Sequence, residues 1–133
     1  MQTDYKEIFN GVKTIAIVGL SPDQTKASHI VARYMQANGY EIIPIYPSGE
    51  TILGEKVYRT LGEVDKNVDM VVMFRKAVFA DKLATEIIKR GDVKVFWLQE
   101  GIINDAALEI VKKNNLLAIQ DQCVMKAHKE FIK

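Results

Sequence analysis

The chain carries a single cysteine, Cys123, in 133 residues. An internal disulfide is thereby excluded, and so sparse a use of thiols fits a reducing compartment. Charge of one sign is not in excess either: eighteen Lys and Arg face seventeen Asp and Glu, a net charge of +1. Nucleic-acid and membrane-surface binding draw on a concentrated basic excess, so neither partner is expected, and any affinity for phosphate has to come from a local site. No apolar run approaches the ~20 residues of a membrane span. The start, Met1-Gln2-Thr3-Asp4-Tyr5-Lys6, lacks the basic-then-apolar pattern of an export signal. The expected location is cytoplasmic. With no repeat, linker or low-complexity stretch, residues 1–133 are expected to form one domain with its own core.

What is present is an alternation of extended and helical segments. A lead-in helix or turn covers Tyr5 to Phe9. Apolar runs read as strands at Thr14–Val18, Glu41–Tyr46, Met70–Phe74, Lys94–Leu98 and Leu116–Ile119. Between them lie amphipathic stretches: Ala27–Asn38, with Ile30, Val31, Tyr34 and Met35 on one face; Val78–Lys89, with Phe79, Leu83, Ile87 and Ile88 inward; and Asn104–Lys113. A last helix is expected over Gln122–Phe131, and a helical turn at Leu61–Val64. Strands that read as near-continuous apolar runs are buried on both faces. Alternating β and α units of this kind predict a doubly wound, Rossmann-like α/β fold. It has five mainly parallel strands, helices on both faces and the first strand central. Ligands on that architecture bind beyond the carboxyl ends of the strands.

The most informative stretch is the strand Thr14–Val18, then Gly19, a polar loop, and a helix from Ala27. Such a turn offers backbone N–H groups and a helix N-terminus to a phosphate. A dinucleotide fingerprint is missing: Ser21 and Gln24 stand where the second and third glycines belong. The second strand ends at Tyr46-Pro47 and supplies no acid for a ribose hydroxyl. The loop instead carries hydroxyls at Ser21, Thr25 and Ser28 and a cation at Lys26, an anion-binding set on a helix N-terminus. Phe74-Arg75-Lys76 leaves the third strand at the ligand edge, suited to a phosphate and an adenine face. Gln99 and Gly101 follow the fourth strand, where an amide and an approachable backbone could meet a ligand.

Catalysis has little support. Cys123 and His128 are five positions apart, about 140° of helical rotation, and share no face. A cysteine among apolar neighbours reads as an inert core residue, and His29 as a surface residue or local cap. No triad, metal cluster or carboxylate pair is evident, so neither a catalytic nor a metal site is assigned.

Taken together, Ile15-Ala16-Ile17-Val18-Gly19-Leu20-Ser21-Pro22-Asp23, Tyr46-Pro47 with Ile52-Leu53-Gly54 and Val57-Tyr58, Val72-Met73-Phe74-Arg75, Val95-Phe96-Trp97-Leu98-Gln99 with Gly101-Ile102, and Asp121-Gln122-Cys123 with His128 resemble the small stand-alone CoA-binding proteins. That family is similar to the N-terminal CoA-binding domain of the succinyl-CoA synthetase alpha subunit. The resemblance runs from about Asn10 to Phe131. It implies coenzyme A as cofactor and CoA or acyl-CoA as partner, with a protein partner or a homo-oligomer as further possibilities. It places the CoA phosphates on Gly19, Leu20, Ser21 and Lys26, the nucleotide against Tyr46 and Pro47, and the adenosine and pantetheine between Phe74, Arg75, Gln99 and Gly101. The synthetase's second domain, which supplies a phosphorylated histidine, has no counterpart in these residues, and Gln122 stands where the family usually has a basic residue. The resulting expectation is a non-catalytic CoA-binding protein. The alternatives are an NAD(P)-binding redox or regulatory protein and a detached subunit of an acyl-CoA synthetase.

Overall fold

The five apolar runs become one parallel sheet in the computed structural model, which describes residues 3–132. Its order is β2 (Glu41–Ile45), β1 (Thr14–Val18), β5 (Met70–Met73), β6 (Val95–Leu98), β7 (Leu117–Ile119), every pairing parallel. Two short strands, β3 (Thr51–Ile52) and β4 (Glu55–Lys56), form a separate antiparallel hairpin in the stretch between β2 and β5. The first strand is not central, contrary to the expectation. The chain steps outward once, from β1 to β2, then crosses back over β1 to β5 and steps twice more in that direction, to β6 and β7, so β5 occupies the middle.

Each strand serves two cores because alternate side chains leave a strand on opposite faces. Ile15 and Ile17 face one layer with Val72 and Trp97; Ala16 and Val18 face the other with Val71, Met73 and Phe96. The first layer is covered by α1 (Tyr5–Gly11), α2 (Ala27–Ala37) and α5 (Val124–Phe131). The second is covered by α3 (Ala80–Arg90) and α4 (Asp105–Lys113). Double burial is what removes polar residues from these strands. Pro44 lies inside β2, which its position at the sheet edge permits, since a central strand would need the missing N–H.

Three helical details depart from the pattern read in sequence. Ala77–Phe79 is a 3₁₀ turn ahead of α3, and Phe79 is 41% exposed rather than inward. Ile30 turns partly to solvent, while Ser28, His29 and Ala32 of the same helix are buried. The last helix begins at Val124, with Cys123 as its N-cap residue.

The amino ends of the strands are tied by charge. The buried Asp69 carboxylate accepts from the N–H groups of Lys13 (2.8 Å) and Thr14 (3.3 Å) and from the Asn67 amide (2.8 Å). Arg90 donates to the carbonyls of Leu61, Val64 and Lys66 and pairs with Asp92 at 2.9 Å. With one edge locked this way, the opposite edge is left for a ligand.

Candidate functional site

Strand order reverses between β1 and β5, and beyond their carboxyl ends lie Gly19 and Phe74-Arg75-Lys76. Gly19 has φ +89°, and a Cβ there would stand 2.7 Å from the Phe74 carbonyl oxygen. Glycine is thus demanded by the contact between the two strand ends. The N–H groups of Gly19 and Leu20 both donate to the Ile45 carbonyl (2.9 and 3.3 Å), and the Leu20 side chain is fully buried.

The loop hydroxyls are likewise engaged internally. Ser28 Oγ accepts from Ser21 N–H (3.0 Å), Ser21 Oγ accepts from Asp23 N–H (3.0 Å), and Thr25 donates to Asp23 (2.7 Å). The hydrogen bonds from Thr25, side chain first and then backbone, hold the Asp23 carboxyl below its ordinary range. His29 shares a hydrogen bond with the Ser21 carbonyl at 2.9 Å and is buried, so it pins the loop from inside. These bonds brace the turn, and since Ser21 and Ser28 only accept in them, their O–H groups keep their donor capacity. The loop also offers the start of α2: Ala27 N–H and Ser28 N–H have no hydrogen-bond partner among the described residues, and no acidic residue occupies the first turn. Unspent N–H groups at a helix N-terminus favour an anion.

Two large cavities flank the sheet edge and share Phe74, Arg75 and Lys76. A basic one of about 680 Å³, on the α3 side, includes Gly19, Tyr46, Pro47, Arg59 and Phe79. An apolar one of about 590 Å³, between α2 and α5, includes Ile30, Val31, Ile102, Met125, Gln99 and Cys123. The Arg75 guanidinium lies 3.9 Å from the Phe79 ring centroid, a cation–π contact that holds it at the rim. Neither Arg75 nor Lys76 has an acidic partner among the described residues, whereas Lys126 of the apolar cavity is paired with Glu100 at 3.2 Å. Arg59 donates to the carbonyls of Tyr46 (3.1 Å) and Gly49 (2.8 Å) and so braces the turn after β2.

Of the residues singled out in sequence, Phe74 and Arg75 line both cavities, Gly19, Tyr46 and Pro47 the basic one, and Gln99 the apolar one. Leu20, Ser21, Lys26 and Gly101 line neither. Gly101 is a turn residue, φ +84°, whose N–H donates to Asp121 at 2.8 Å. The Gln99 amide oxygen accepts from Val124 N–H at 2.8 Å and thereby fixes the start of α5. Arg59, Phe79, Cys123 and Met125 were not anticipated; Phe79 fits a helical period as well as a loop position, and Arg59 has no local signal. The buried His128 shares a 2.8 Å hydrogen bond with Tyr34 and is ringed by Phe9, Tyr34 and Tyr40, with no bond to Cys123. Among the described residues no group of three His, Cys, Asp or Glu could hold a metal ion, and no helix is long and apolar enough to cross a membrane.

Similar sequences and the same fold occur in known proteins. The chain is 38% identical over 127 residues to the uncharacterized protein YneT of Bacillus subtilis (strain 168), covering 96% of this chain and 93% of that one. It is 24% identical over 125 residues to an ADP-forming acetate–CoA ligase of Methanocaldococcus jannaschii, covering 87% of this chain but 18% of the ligase. A solved structure of a hypothetical protein from Pyrococcus horikoshii OT3 superposes with a TM-score of 0.92 at 29% identity, over 98% of this chain and 91% of that one. The family model for the CoA binding domain matches residues 13–129, from the strand β1 through both cavities to α5, and the chain belongs to that family.

Proposed function

We propose that the protein binds coenzyme A or an acyl-CoA without transforming it. In this reading the pyrophosphate sits at the N-terminus of α2, the phosphoadenosine lies in the basic cavity against Tyr46, Pro47, Phe79 and Arg75, and the pantetheine enters the apolar cavity past Phe74 and Gln99. The observation that carries it is the unpaired Arg75-Lys76 couple set between one basic and one apolar cavity. A ligand with a phosphorylated nucleotide at one end and an uncharged amide-and-thiol arm at the other matches that division. The sheet edge lacks an acid for a ribose hydroxyl, which sets NAD(P) behind CoA.

Isothermal titration with CoA, dephospho-CoA and NAD tests the proposal. CoA should bind most tightly, and Arg75→Ala should weaken it by about 1.5–3 kcal/mol, as expected of hydrogen bonds to a charged group. If Arg75 meets the 3′-phosphate, the same variant should cost dephospho-CoA much less. Tighter binding of NAD than of CoA would reverse the assignment.

The likeness to one portion of an acetate–CoA ligase supports a second reading, a subunit whose ligase partner is another chain. A non-catalytic protein should make no ATP from acetyl-CoA, ADP and phosphate. ATP formed by the chain alone would refute the absence of catalysis, and ATP formed only with a co-purifying chain would establish the subunit reading.

A further inference from the structure

Cys123 is the sole thiol of the chain, and it belongs to the buried core while also lining a cavity. It caps α5, is 8% exposed, makes no hydrogen bond through sulfur among the described residues, and lines the apolar cavity together with Gln99 and Met125. A smaller cavity of about 220 Å³, which shares Glu100 and Lys126 with it, also reaches Cys123.

Gln99 gives an independent indication of what this end of the cavity receives. It is 4% exposed, and its amide oxygen is committed to Val124 N–H, which fixes the orientation of the carboxamide. The amide nitrogen then has no partner among the described residues, although the residue lines the cavity. No fully buried side-chain nitrogen or oxygen lacks a partner among the described residues, so this N–H₂ is open to the cavity and can donate to a carbonyl there. The pantetheine arm carries two amide carbonyls and ends in sulfur.

The geometry points to Cys123 as a covalent anchor for the ligand: it exchanges with disulfides of CoA to give a protein–CoA mixed disulfide inside the apolar cavity. This inference rests on the CoA reading above and extends it from reversible binding to redox-dependent capture. The Cys123 thiol loses its proton to water and the resulting thiolate attacks one sulfur of the CoA disulfide. The Cys123–S–S–CoA bond forms as the original S–S bond breaks, and the second CoA departs as a thiolate that takes a proton from water. Cys123 is oxidised, the departing sulfur is reduced, and the CoA disulfide is the oxidant. Reducing thiols reverse the step. Burial in the cavity restricts access, so delivery by the bound nucleotide, rather than the exposure of the thiol, selects the partner.

The test uses the full chain and intact-mass spectrometry. Treatment with CoA disulfide should add one CoA less two hydrogens, and dithiothreitol should remove it. Oxidised glutathione, which has no nucleotide, should modify the protein at least ten times more slowly. Desulfo-CoA, which fills the site without a thiol, should protect against CoA disulfide, and Cys123→Ala should form no adduct. Equal rates with both disulfides, or no protection by desulfo-CoA, would overturn delivery through the site. If wild-type protein binds CoA reversibly but forms no adduct, the anchor fails while the binding reading stands. If reduced CoA does not bind at all, both fall.

Discussion

At the scale of single residues, the site rests on a glycine whose job is packing. Sequence alone brings Gly19 forward as a phosphate-turn residue, but its N–H is spent on Ile45 and its missing Cβ is what lets Phe74 approach. Gly19→Ala should therefore cost stability first, because the positive φ and the 2.7 Å contact with a backbone oxygen act together. A loss of about 2–4 kcal/mol in urea unfolding is expected. A variant as stable as the wild type that merely fails to bind CoA would return Gly19 to the ligand. The legibility of the other positions follows the same physics. Arg75 was visible because a cation directly after an apolar run has nowhere to go but the sheet edge. The loop-bracing bonds accepted by Ser21 and Ser28 were not, since sequence records a hydroxyl but not which N–H groups it accepts from.

Among the elements, α2 presents an open N-terminus at the ligand edge, with Lys26 as N-cap, no side-chain cap and no acid in its first turn. Helices usually fill those positions, as α4 does with Asn104 and Asp105. Leaving the positive end of the dipole uncompensated is useful when an anion supplies the compensation. Ala27→Asp should then have two effects of opposite sign. The free protein should gain about 0.3–1 kcal/mol from the dipole. CoA binding should weaken about tenfold, because the carboxylate takes the place intended for phosphate. Thermal unfolding without ligand and titration with CoA read the two effects separately; a gain in both stability and affinity would remove the anion from α2. The periodicity of α2 was legible, but not which flank faced the cavity. Ile30 counts as core by spacing and becomes cavity wall because the sheet ends beneath it.

For the molecule as a whole, stability and binding are assigned to opposite edges of one sheet. The alternation of apolar runs made the doubly wound class legible, since double burial leaves few other ways to use such strands. The position of β1 was not legible, because strand order depends on where the crossover falls and no local pattern records it. At the amino edge, burial pulls the Asp69 carboxyl upward, but hydrogen bonds from Lys13, Asn67 and Thr14 and the charge of Lys94 outweigh it and leave it below the ordinary range. Asp92 is treated alike: burial raises it, and Arg90 with the Val68 N–H brings it below. A folded carboxyl that is harder to protonate than its unfolded counterpart adds stability above the unfolded value, about 3.9 for Asp. That stability is lost as pH falls through the folded value. The free-energy of unfolding should accordingly be flat near neutrality and decline below about pH 5. Asp69→Asn keeps the shape but exchanges a carboxylate oxygen for an amide donor facing the N–H groups of Lys13 and Thr14 or the Asn67 amide. It should lower stability at pH 7 by about 1–3 kcal/mol and flatten the acid decline. CoA affinity at pH 7 should stay near that of the wild type, because Asp69 lies at the far end of β5 from Phe74 and Arg75. Urea titrations from pH 7 to pH 3, paired with one CoA titration, measure both. An unchanged acid slope would remove Asp69 from the pH response, and a large loss of affinity in a folded variant would show that the two edges are coupled.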